Sequence, residues 1–151
     1  MNEKPYRLGV IAVIENDAHE FLVGNRRDRS NAWQFPQGGI DQNEDPELAV
    51  FREVFEETAC QKMKLIKRLP ETISYDFPKD LNVKISKKFR GQSMYWFHLK
   101  YNPKFPADLN AAKDQEFDKI SWRPIKQIAN EVVEWKKEFY LLGLKELGLL
   151  K

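Results

Sequence analysis

Residues 38–60 read GGIDQNEDPELAVFREVFEETAC, and the fold turns on whether this stretch makes a helix. Asp45 is a strong N-cap, and Pro46 suits the first helical position, where a missing N–H costs nothing. At about 100° per residue, Leu48, Phe51 and Phe55 share one arc, expected to face the core, while Glu53, Glu56 and Glu57 share the opposite side. Like charges at i, i+3 and i+4 disfavour an isolated helix by about 0.2–0.5 kcal/mol per pair. The negative end of the helix dipole adds roughly 0.3–1 kcal/mol for each exposed acid. Something positive is therefore expected on this face. Arg52 is within reach of Glu56, but one arginine does not neutralise three carboxylates, so a bound cation is the second candidate. A solvated acidic face is the bland alternative. Against it stands the preceding WQFPQGGI (33–40), aromatic and then glycine-rich, which can bring backbone carbonyls close to the helix.

The spacing of Gly38, Glu44, Arg52, Glu53, Glu56 and Glu57, with apolar Val54 and Cys60 between and after them, resembles the Nudix box of the Nudix hydrolases. The resemblance implies an α+β fold, the Nudix α/β/α sandwich with a mixed β-sheet between helices, over residues 1–151 as one domain with its box at 38–60. It implies metal binding by Glu53, Glu56 and Glu57, helped by a backbone carbonyl near Gln37 or Gly38 and by Glu116. Arg52 is expected to orient the carboxylates through an ion pair, Glu44 to hold that arrangement, and Gly38 to serve the box structurally. Glu53 is the first choice of general base. Glu116, in DQEFDK (114–119), is the runner-up, its alternative being a solvated loop glutamate. The catalytic set is thus Glu53, Glu57, Arg52 and Glu116. Alanine stands at 59 where the family usually has glycine; a left-handed turn there would strain alanine by about 1–2 kcal/mol.

The donor set agrees with this independently. It is all oxygen, whereas zinc favours nitrogen and sulfur. Mg2+ or Mn2+ takes oxygen ligands and shares them with substrate phosphates. A calcium loop fails, because Pro46 replaces the turn glycine and Arg52 falls where a bidentate glutamate belongs.

Outside the box, YR (6–7), RR (26–27), WQFPQGGI, the GQ and WF pairs at 91–92 and 96–97, EFD (116–118) and VVEWK (132–136) resemble the bacterial RNA pyrophosphohydrolases and the related dinucleoside polyphosphate hydrolases. Guanidinium groups grip phosphate in a bidentate fork. Arg7 and Arg27 are expected to do so, Arg27 being preferred to Arg26 because neighbours on a strand point oppositely. Lys88 belongs to a basic run (84–90) that either binds phosphate or is solvated. Trp135 and Lys136 are expected to receive an RNA base, the alternative being a tryptophan that only caps the core. The leading expectation is a hydrolase that removes pyrophosphate from the 5'-triphosphate end of RNA and so promotes mRNA decay. The alternatives are hydrolysis of diadenosine tetraphosphate or nucleoside triphosphates, and a non-catalytic RNA- or nucleotide-binding module. Partners are therefore 5'-triphosphorylated RNA or nucleoside polyphosphates, with no DNA.

Composition is consistent with this. The 151 residues, 42% hydrophobic, are enough for one substantial core. No apolar run suits export or a membrane span, and the lone Cys60 suits a reducing compartment, so a cytoplasmic location is expected. A net charge of +2 that includes so acidic a helix leaves the rest of the surface basic. Strands are expected at 7–14 and 20–23 around an Asn16–His19 turn, then at 63–69, 73–77, 83–89, 93–101 and 117–122, with one long helix over 128–150.

Overall fold

The computed structural model describes residues 4–28, 31–81 and 83–151. Its frame is a mixed sheet built on two ten-residue strands, β1 (Tyr6–Glu15) and β7 (Gly91–Lys100), paired in parallel along their whole length from Tyr6↔Gly91 to Glu15↔Lys100. β2 (Phe21–Arg26) follows β1 through the expected Asn16–His19 turn, where Asn16 Oδ1 accepts from the backbone N–H groups of Ala18 and Glu20. β3 (Trp33–Gln34) and β8 (Phe117–Arg123) pair with β2; β4 (Gln37–Gly39) pairs with β1; β5 (Lys64–Arg68) and β6 (Ile73–Asp76) pair with β7.

Alternation along β1 divides the core into two layers. Val10, Ala12 and Ile14 face α1 (Pro46–Thr58) through Ala49, Val50 and Val54. Ile11 and Val13 join Trp96, Phe35, Phe139, Tyr140 and Leu144 on the opposite face, under α3 (Ile125–Glu131) and α4 (Lys137–Glu146). Helices on both faces of a mixed sheet make the expected sandwich.

Three expectations are corrected. Leu48 and Phe55 are 66% and 42% exposed and do not face the core. The smaller Ala49, Val50 and Val54 do so, which lets α1 lie close on the sheet. The segment expected as a strand at 83–89 is instead a short helix, α2 (Lys84–Lys88), with extended residues Val83 and Phe89 at its ends. Ser86 fixes it: its hydroxyl oxygen stands 2.8 Å from the carbonyls of both Leu81 and Val83, which share its one proton, and accepts from the Val83 N–H. The tail is not one helix. Val132 and Val133 are extended and separate α3 from a 3-10 turn (Glu134–Lys136) that leads into α4.

Candidate active site

Helix α1 begins as its sequence requires, with the Asp45 carboxylate accepting from the N–H groups of Glu47 and Leu48 and Pro46 in the first turn. It ends at Ala59, which takes the left-handed conformation (φ 67°, ψ 4°) usually left to glycine while its N–H closes onto the Phe55 carbonyl.

Arg52 organises the acidic cluster. Its Nε and Nη2 grip both oxygens of Glu44 at 2.8 Å, Nη1 reaches Glu53 at 2.8 Å and Glu56 at 3.3 Å, and Nη2 also donates to the Gly39 carbonyl at 2.9 Å. All five guanidinium N–H groups are used. Glu44 is consequently held down to about 2. It also accepts from the Asp41 N–H and so ties the loop to the helix. A side chain at Gly38 would displace Glu53, since an added Cβ would stand 2.0 Å from the Glu53 carboxyl carbon.

The three box glutamates differ. Burial raises Glu53 despite Arg52, with Glu56 and Asp114 adding to the rise. Glu57 is 2% exposed and accepts from the Gln37 N–H at 3.2 Å; burial first, then Glu53 and Glu116, push it well above the usual carboxylate range. Among the described residues, the carboxylates that come within 4.8 Å of one another are those of Glu53, Glu56 and Asp114. Glu57 and Glu116 stand outside that group. Asp114 was not singled out from the sequence. It is brought in by its own N–H, which donates to the Glu56 carbonyl at the end of α1. Such an oxygen-only cluster fits a hard divalent cation.

A cavity of about 470 Å3 opens beside these acids. Glu53, Glu116 and Asp114 border it at one end, with Gln37 and Gly38; Arg7, Arg26 and Lys84 supply positive charge; Trp135 and Lys136 border it too. Arg27 and Lys88 do not line it. Arg27 donates to the Gln115 backbone and side chain, whereas the Arg26 guanidinium reaches the cavity while paired to Asp28. Arg26, the last residue of β2, lines the cavity, and Arg27 lies in the turn that follows. Sequence alternation carries no signal for that choice, because either parity was open.

Trp135 packs against Tyr75 and Phe77 and also borders the cavity. Lys136 is 4% exposed, donates to Gln34 Oε1 at 3.2 Å and lies over the Trp135 ring at 5.4 Å. Two buried amide oxygens on the cavity border, Gln37 Oε1 and Gln92 Oε1, accept no hydrogen bond from the described residues.

Residues 5–142 match the NUDIX domain family model. The chain belongs to the Nudix family. This Nudix protein is 37% identical to an RNA pyrophosphohydrolase of Sulfurovum sp. over 92% of its own length and 90% of that protein's. It is 36% identical to Nudix hydrolase 26, chloroplastic, of Arabidopsis thaliana over 89% of its length and 66% of that protein's. Among solved structures it resembles a binary complex of C. elegans Ap4A hydrolase, with a TM-score of 0.69 at 20% identity over 93% of this chain and 96% of that one. The last likeness is one of fold. The Nudix fold thus accounts for the sandwich and for the place of the acidic helix against the β4 glycines. No helix among the described residues is long and apolar enough to cross a membrane.

Proposed function

We propose that this Nudix protein, acting as a single domain, hydrolyses the 5'-triphosphate end of RNA, releasing pyrophosphate and leaving a 5'-monophosphate that exposes the transcript to decay. One observation carries the reading: a single cavity joins the acidic cluster, several cations and the partly exposed Trp135 with Lys136. Hydrolysis needs the acids, a triphosphate needs the cations, and a base needs a ring to lie on. The RNA pyrophosphohydrolase names carried by its relatives support it.

Glu53, Glu56 and Asp114, with Glu57 and the Gln37–Gly38 backbone close by, are the residues that would hold Mg2+ or Mn2+. When bound there, the cation supplies Lewis-acid polarisation of phosphate oxygens and lowers the pKa of water. The chain's own contribution is positional. Arg52 keeps Glu53 and Glu56 fixed, Arg7, Arg26 and Lys84 balance the triphosphate charge, and the pocket beside Trp135 receives the first base. Glu53 takes the proton of the attacking water, in keeping with its raised pKa; Glu116, exposed at the cavity mouth, is the second candidate.

The test compares kcat/KM for a short 5'-triphosphate RNA with that for diadenosine tetraphosphate in one magnesium buffer at fixed salt. Preference for RNA is expected; preference for the dinucleotide would replace the RNA reading with a small-molecule one on the same catalyst. Trp135→Ala should lower RNA cleavage about 5- to 100-fold, from a stacking contribution of ~1–3 kcal/mol, and nucleoside triphosphate cleavage much less. Equal losses on both substrates would remove Trp135 from RNA recognition.

A further inference from the structure

Helix α1 turns Glu53 and Glu57 inward and leaves a different surface to solvent. Leu48, Phe51 and Phe55 stand at i, i+3 and i+7, so their side chains form one stripe along its outer side. Among the described residues, Leu48 is the most exposed large apolar side chain, at 66%. A single exposed leucine is ordinary on a protein surface, whereas a contiguous apolar patch is a mark of an interaction site.

At the C-terminal end of the stripe lies an open depression of about 390 Å3, bordered by Phe51, Phe55, Cys60, Gln61, Lys62 and Met63. Its walls are fixed. The Thr58 hydroxyl donates to the Val54 carbonyl at 2.7 Å and accepts from the Cys60 N–H at 3.3 Å, and the Asn102 side-chain amide donates to the Lys62 carbonyl at 3.2 Å. The stripe therefore has a projecting leucine near its start and a preformed hollow near its end, Leu48 and Phe55 being about 10 Å apart along the helix. Charge is ordered along it as well: exposed Asp41 and Asp45 precede the helix, and exposed Lys62 and Lys64 follow it.

We propose that this surface binds a second copy of the chain, the two α1 helices lying antiparallel about a two-fold axis near Phe51. Such an axis makes every contact reciprocal. Leu48 of each copy enters the partner's depression beside Phe55 and Met63, and the acids before each α1 meet Lys62 and Lys64 after the other. A parallel pairing would set leucine against leucine and lysine against lysine, so the order of features along the stripe selects the antiparallel one. Glu53 and Glu57 stand on the opposite side of the helix, so both main cavities stay open, and the pairing does not depend on which polyphosphate is cut.

Sedimentation velocity on the full chain, from low micromolar to near-millimolar concentration, reads the association. A concentration-dependent equilibrium between monomer and dimer is expected. Leu48→Glu keeps a good helix former at an exposed position away from the acids; it should weaken dimerisation by about 100-fold or more, because two leucines lose their burial, with circular dichroism and turnover unchanged. Lys62→Glu and Asp41→Lys should each weaken it too, and an equimolar mixture of those two variants should recover it, since each then meets the opposite charge. A chain that stays monomeric throughout would assign the stripe to a different protein and overturn the proposal, as would a dimer that survives Leu48→Glu. A dimer that Leu48→Glu dissolves, but that the mixed charge variants do not recover, would overturn the antiparallel pairing.

Discussion

The acidic site is a set of single side chains whose charges are balanced unequally, and this has consequences for each. Glu53 sits against a glycine that leaves no space for a Cβ, so Gly38→Ala should push its carboxylate aside. We expect kcat to fall by about 10²-fold or more, as for loss of a positioned base, with a stability cost of roughly 1–3 kcal/mol for overpacking. Full activity in that variant would show that Glu53 has no fixed role. Glu57 is buried and raised well above the ordinary range. A carboxyl whose folded pKa is raised stabilises the fold below its unfolded value, near 4.3, and loses that contribution as pH rises through the folded value. Glu44 has the opposite sign: its contribution is present above the unfolded value and lost as pH falls toward about 2. At neutral pH without metal, Glu57→Gln should therefore raise the unfolding midpoint while magnesium-dependent turnover falls. A lowered midpoint would mean that the Glu57 charge is better solvated than its burial indicates. Divalent-ion affinity should also weaken as the buffer becomes mildly acid, because the cation competes with protons on Glu53 and Glu57; titration calorimetry in buffers of different ionisation enthalpy would reveal the proton release.

Helices and strands differed in how far their sequences announced them. Helix α1 was legible because its start is local chemistry, with Asp45 and Pro46 sufficing. Its inward face was less so, because the large Leu48, Phe51 and Phe55 outweigh Ala49 and Val50 in any periodicity reading, although the smaller residues are the ones that fit against the sheet. Helix α2 was hidden by the alternation in VKISKKF, which imitates a strand; the Ser86 hydroxyl and the surrounding backbone decide otherwise. Glu44, Arg52 and Gly38 were legible as members of a spaced pattern. Asp114 was not, because which acid before β8 reaches α1 depends on one backbone hydrogen bond to Glu56. At the end of α1, Ala59 holds a left-handed conformation. Ala59→Gly should relieve about 1–2 kcal/mol of strain against roughly 0.5–1 kcal/mol of added chain entropy. A net gain of up to about 1.5 kcal/mol is expected in chemical denaturation, with kcat unchanged; a loss would show that alanine meets no strain there.

Taken together, the elements make a sandwich in which one face of the sheet is committed to the acidic helix and the other to the aromatic layer of Phe35, Trp96, Phe139 and Tyr140. The aromatic layer links the halves of the chain directly. Tyr140 stacks on Phe35 at 5.0 Å between centroids, and its hydroxyl accepts from the Phe35 N–H. The C-terminal helix thus braces the segment that leads into the β4 glycines. Positioning of the carboxylates consequently depends on both faces, although only α1 carries the box.

The parallel ladder of β1 and β7 sets the order of events during synthesis. Residues 6–15 pair with residues 91–100, so the first strand leaves the ribosome long before its partner exists. At about 5–20 residues per second the wait is on the order of ten seconds. Throughout it Val10 to Ile14, wholly inaccessible in the finished fold, have only a short antiparallel neighbour to pair with. A chain ended at residue 90 should accordingly be protease-sensitive along β1, whereas the full chain should protect it; equal protection would mean that β1 is secured before β7 arrives. Nascent-chain delay, rather than final stability, then becomes the vulnerable point of this sandwich, because closure between distant segments is slow by nature.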